Sequence, residues 1–144
     1  MREVVRDDAV AVFIRAVDDL HRRFDRAGHG RGGCEERFAA VVASVVAWLA
    51  DHPDQARLYW CDWGTTADPD LRGAVLRARR RLTDFALRHL GPDPLTTRHE
   101  VNIEYLVGLV RQVVDEELQK PAVDLGRLAE RLARLGPLLS AHDD

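Results

Sequence analysis

Lysine is almost missing from this 144-residue chain: of 21 basic residues only Lys120 is a lysine, and acidic residues outnumber basic ones for a formal net charge of −3. A protein that draws its affinity from neutralising phosphates carries a basic excess, so direct nucleic-acid binding by this chain alone is not expected. Cysteine is scarce as well. Cys34 and Cys61 lie far apart and share neither a CxxC nor a metal-ligand spacing, which leaves reduced thiols in a cytoplasmic setting as the expectation. There is no HxxxH or ExxH pair, so neither a metal nor a cofactor is expected. No apolar run is long enough to span a membrane, and Asp7 and Asp8 stand where a signal peptide would be apolar. Strand alternation is absent throughout.

Helical period fills the space these absences leave. Val10, Phe13, Val17, Leu20 and Phe24 form one stripe, predicting a helix from about Asp8 to Arg26 that stops at the glycine-rich Gly28–Gly33. A second helix is expected from about Glu35 to Asp51, with Phe38, Val42, Val45 and Leu49 inward and acidic residues at its start. Pro53 opens a short third helix through Trp60, and Asp68-Pro69 caps and starts a fourth lasting to about Leu90. Gly91-Pro92-Asp93-Pro94 ends it. The expectation is one all-α bundle of six helices, or seven if the loop near Lys120-Pro121 is itself helical.

The closing pair carries the strongest pattern. Leu125, Leu128, Leu132, Leu135 and Leu139 repeat at 3-4-3-4 spacing, predicting one helix from Leu125 to Leu139 with all its leucines on one face. Before it, Val101 to Leu118 places Ile103, Leu106, Val107, Leu109, Val110, Val113, Val114 and Leu118 over more than half of a helix circumference. A helix so apolar needs burial on two sides, against its own domain and against a second surface. A second copy of the same pair is the simplest such surface. The expected homodimer interface is therefore Ile103, Leu106, Val110, Val113, Leu125, Leu128, Leu132, Leu135 and Leu139.

The run Tyr105-Leu-Val-Gly-Leu-Val, the connector ending Val123-Asp124-Leu125, and Leu128-Ala129-Glu130-Arg131-Leu132 together resemble the end of TetR-family transcriptional regulators. Upstream, Phe38 to Leu58 with its Asp51-His-Pro-Asp turn looks like that family's central helix and the turn after it. The resemblance reaches from about Ala9 onward. It implies an effector-binding body that dimerises through its last two helices. No segment supplies a short helix, a glycine-containing turn and a recognition helix in succession, so the resemblance is to the regulatory domain without the DNA-reading head.

Four features could carry chemistry. The Gly28–Gly33 loop follows a helix rather than a strand and lacks the Lys-Ser of a phosphate cradle, so it reads as an interhelical loop. Trp48, Tyr59, Trp60 and Trp63 cluster in a chain with only 6% aromatic residues, and read either as core or as the wall of a pocket for a flat or oily ligand. His89 continues the seam Leu71, Val75, Ala78, Leu82, Phe85, where it serves either as a satisfied core histidine or as a donor that orients a ligand. The arginines Arg77, Arg79, Arg80 and Arg81 lack interleaved aromatics and read as a solvated helix face. The acidic run Asp115, Glu116, Glu117 ends a helix whose C-terminus prefers cations, and the sequence gives no reason for it.

The resulting expectation is a small-molecule-sensing and dimerisation domain of a TetR-like regulator. Its apolar or aromatic effector would sit among the first, second and fourth helices, touching Trp48, Tyr59, Trp60, Trp63, Phe85, His89 and Tyr105. Three alternatives stay open: a stand-alone module pairing with a full-length regulator, a small helical enzyme using His89 or Asp62 as acid or base, and a plain interaction domain with a solid core.

Overall fold

Asp68 begins the fourth helix by accepting hydrogen bonds from the backbone N–H groups of Asp70 (2.9 Å) and Leu71 (3.4 Å), and Pro69 occupies its first turn. Local chemistry of this kind sets most of the boundaries in the structure, a computed structural model that describes residues 2–29, 32–62, 66–91 and 95–139, with side chains from Ala9 onward. The elements are α1 (Arg2–Gly28), α2 (Cys34–Asp51), α3 (Pro53–Trp60), α4 (Pro69–His89), α5 (Thr97–Leu118) and α6 (Leu125–Ala133), followed by a 3₁₀ turn (Gly136–Leu139). No strand occurs among the described residues. The chain is an all-helical bundle, as expected.

Pro53 starts α3 at the predicted place. Thr96 and His99 build a reciprocal cap at the start of α5: the Thr96 hydroxyl accepts from His99 N (3.2 Å), and His99 Nδ1 accepts from Thr96 N (3.4 Å). That cap carries α5 back to Thr97, four residues before the Val101 start predicted from apolar spacing alone.

The largest departure is at the other end. The predicted Leu125–Leu139 helix stops at Ala133. Pro137 lacks an N–H and its ring crowds the carbonyl of the residue four before it, which is Ala133, so the chain turns into 3₁₀ geometry. Gly136 is buried there, and a Cβ at that position would come within 3.6 Å of Phe38.

One connected core joins the helices. Phe13, Val17, Leu20 and Phe24 of α1 are buried on the predicted stripe, as are Phe38, Val42, Val45 and Leu49 of α2. Trp48 ties these two helices by donating Nε1–H to Ala16 O (2.7 Å). Leu128 and Leu132 of α6 are wholly buried, with α6 packed on α2 and α5. Three arginines then cap the C-terminal carbonyls of helices other than their own. Arg37 donates to His89 O (2.9 Å), Arg57 to Leu118 O (2.8 Å) and Arg79 to Tyr59 O (2.8 Å). Each places a cation at the negative end of a helix dipole. Arg79 therefore turns inward and is half-buried, which corrects the reading of the whole arginine run as a solvated face; burial pushes its pKa down.

Candidate functional site

Residues from five helices, together with Leu90 just past the end of α4, line a partly open apolar cavity of about 30 Å³ between the helices. Phe38, Val41, Val42 and Val45 of α2 form one wall, and Leu82, Phe85 and Ala86 of α4 another. Trp60, Leu106, Val107, Val110 and Leu132 close the remainder. Every lining side chain is apolar apart from the indole N–H of Trp60, which is buried without a hydrogen-bond partner among the described residues. A space of this size and character stays dry, because a water there would lack the polar partners it needs. Two open grooves between α1 and α4 are larger, about 250 and 420 Å³, but they are solvent-facing and edged by Asp18, Asp70, Arg77 and Arg81.

The aromatic cluster divides on inspection. Trp60 and Phe85 reach the cavity, while Trp48 and Tyr59 are wholly buried beside it without lining it. Tyr59 stands edge-on to both Trp60 (ring centroids 4.7 Å apart) and Trp48 (6.0 Å), with its hydroxyl 3.5 Å from Ala78 O, so it acts as a spacer between helices. Burial drives its phenol pKa up. Tyr105 lies on the outer side of α5, 64% exposed, and cannot touch an internal ligand. Trp63 falls outside the described residues. The expected framing by the first helix also changes: α1 contributes nothing to the lining, and α5 takes its place.

His89 meets the cavity through Phe85. The two rings pack 4.8 Å apart, and Phe85 also stacks on Phe24 at 5.2 Å. A second imidazole, His29, lies with its ring 5.3 Å from that of His89 and donates Nδ1–H to Asp25 O (2.6 Å). The close approach depends on Gly28, where a Cβ would stand 3.0 Å from Phe85 and 3.1 Å from His89. Burial, then the neighbouring His29, lowers the His89 pKa. Arg37 fixes the surroundings: besides holding His89 O, it donates to Gly32 O (2.7 Å) and to the Cys34 sulfur (3.3 Å). Spacing points to His89 but shows 28–33 only as a loop; a histidine at the exit of one helix and an arginine one turn into the next are the signals that connect them. Among the described residues no group of three or more His, Cys, Asp or Glu side chains could hold a metal ion.

Of the expected interface residues, Ile103, Leu106, Leu128 and Leu132 are buried within the chain itself. Leu106, Val110 and Leu132 line the cavity. The seam that suggested a twin is thus largely consumed by α2 and α5 of the same subunit. Val110, Val113, Leu125, Leu135 and Leu139 remain partly exposed. The outer face of α5 keeps Val101 (59% exposed) and Tyr105, with Gly108 beside them and open space above it. No helix of the described residues is long and apolar enough to cross a membrane. No family model, curated protein or solved structure matches the chain.

Proposed function

We propose that this chain is the sensing and dimerisation domain of a TetR-like regulator, taking up a small apolar molecule in the cavity beside Trp60 and Phe85. The cavity carries the reading: an internal hollow walled by apolar side chains from α2 to α6 is where a ligand would be felt by most of the fold at once. Its small volume means that α2, α4 and α5 must part to admit a ligand. A bundle that has to move in order to bind couples occupancy to helix positions, which is what a sensor requires. The dimer half of the reading rests on the outer face of α5, where Val101 and Tyr105 stay exposed around Gly108 and another helix could approach closely.

A small apolar probe such as 1-butanol should bind saturably and shift the methyl resonances of Leu82, Leu106 and Val107. Val107→Phe, which fills the hollow, should abolish those shifts. Absence of saturable shifts in the unaltered protein would favour a second reading, an interaction domain with a solid core, to which the small volume also points. The dimer is tested separately by sedimentation: Tyr105→Asp should yield folded monomers, whereas a monomeric starting protein would remove the dimer from the proposal.

A further inference from the structure

Among the described residues the unpartnered indole N–H of Trp60 is the one polar group on the cavity wall, and two imidazoles stand outside the lining, beyond Phe85. Phe85 belongs to both places, lining the cavity and packing on His89. His89 is half-buried with no ring hydrogen bond to another described residue, while its backbone is pinned by Arg37. His29 uses Nδ1 on Asp25 O, which leaves Nε2 to donate or accept elsewhere. The charged and titratable groups bearing on His89 are Asp25 from α1, His29 just past its end, Arg37 from α2 and Arg88 from α4. Cations outnumber the single carboxylate, so an anion placed here is attracted, and two adjacent imidazoles can each donate one hydrogen bond to the two oxygens of a carboxylate. The His pair has no third ligand among the described residues, so a metal does not fit.

We infer that the ligand is a short-chain carboxylic acid, its alkyl tail in the cavity beside Phe85 and its carboxylate held between the His89 and His29 rings. The inference rests on the sensing reading above and names its ligand class. The short tail follows from the volume of about 30 Å³, too small for a long acyl chain or a fused ring system. Access requires Phe85 to swing off Phe24, opening the dry space toward the imidazoles. Once bound, the carboxylate favours the imidazolium form of His89, so affinity rises as the pH falls through the histidine range and declines again only where the acid itself becomes protonated.

The experiment is an NMR titration of the chain with butyrate and, in parallel, 1-butanol, reading histidine ring and methyl resonances at about pH 6 and about pH 8. Butyrate should shift the His29 and His89 rings together with the Leu90 and Val107 methyls, and should bind several-fold more tightly at the lower pH. Butanol should reach the methyls with no pH dependence. His89→Gln, which keeps a donor but cannot take a proton, should weaken butyrate roughly tenfold at the lower pH and erase the pH difference, leaving butanol unchanged. His29→Gln, at an exposed position, removes the second donor's ring and should weaken butyrate while leaving butanol unchanged and the pH difference set by His89 in place, which keeps the test open if the first variant does not fold. Equal binding of butanol and butyrate, indifferent to both substitutions, would overturn the carboxylate inference and leave the sensing reading intact. Ring shifts without methyl shifts would also overturn it, as surface binding. No response at any methyl with either compound would overturn both.

Discussion

Glu117 at the end of α5 and Arg127 in the first turn of α6 form a two-pronged ion pair, with Arg127 Nε 3.0 Å from Oε1 and Nη2 2.8 Å from Oε2. Lys120 adds a contact at 3.3 Å and the Asp124 backbone N–H another at 3.2 Å, so each carboxylate oxygen has two donors. Alongside, Glu116 pairs with Arg131 at 2.7 Å. The acidic end of α5, unfavourable for its own helix, is therefore the latch that folds α6 back over the bundle and sets Leu128 and Leu132 into the core. Glu117 has no exposed surface, but it is covered by the side chains of Arg127 and Lys120, themselves 45% and 40% exposed, so the latch sits just under the surface.

The Arg127 hydrogen bonds draw the Glu117 pKa down from 4.5 to about 2, more than burial raises it. A carboxyl whose folded pKa lies below its unfolded value stabilises the fold above the unfolded pKa and loses that contribution as the pH falls toward the folded one. The latch should therefore weaken between about pH 4.5 and pH 2. Glu117→Gln should lower the melting temperature at neutral pH and flatten this acid limb, and Glu116→Gln, at an exposed pair, should do neither to the same degree. Melting temperatures measured across that range decide it.

His21 titrates in a separate window. It is buried between α1 and α4, its Nε2 has no hydrogen-bond partner among the described residues, and burial together with Arg81 lowers its pKa from 6.5 to about 4. The unfolded chain binds the proton first, so stability falls as the pH drops from about 6.5 to about 4, by up to about 3 kcal/mol over that interval. In denaturant melts His21→Phe should remove this slope. A variant with the same pH profile as the parent would place the titrating group elsewhere.

Legibility in the sequence followed the range of the interaction. The inward stripe of α2, the proline starts of α3 and α4, and the burial of the leucine ridge at 128 and 132 are periodic or local, and spacing alone conveys them. What the ridge packs against is not local: leucines at 3-4 spacing signal a covered face and say nothing about whose helix covers it. Pro137 was the overlooked sign that α6 ends early and lacks the length for a long paired seam. Contacts across many residues left no pattern at all, Arg37 with His89 being 52 positions apart and Arg111 with Thr83 28. Of the candidate ligand residues, type pointed to Trp48, Tyr59, Trp60 and Trp63 alike, and position on the α4 seam to Phe85 and His89. Type could not separate Trp60, which reaches the cavity, from Trp48, whose indole is spent on Ala16 O.

Leu132 now belongs to stability rather than association. Leu132→Ala should cost about 2–5 kcal/mol in urea unfolding, the usual range for a fully buried leucine with residual space beside it. Leu132→Asp should prevent folding altogether. Tyr105→Asp, on the exposed side of α5, should leave each subunit folded, with a loss of stability no larger than the dimer itself contributes.

Val42→Ile adds one methylene next to the empty space. The variant should be more stable by up to about 0.8 kcal/mol and should bind apolar probes less well. A loss of stability instead would show that the wall at Val42 is already tightly packed.

The most direct measurement of the cavity is xenon binding in crystals of the protein under pressure, since xenon enters dry apolar voids without needing a polar contact. A single strong xenon peak is expected among Leu82, Phe85, Val107 and Val42, absent from Val107→Phe. Xenon found only in the α1–α4 grooves, or nowhere, would contradict this expectation.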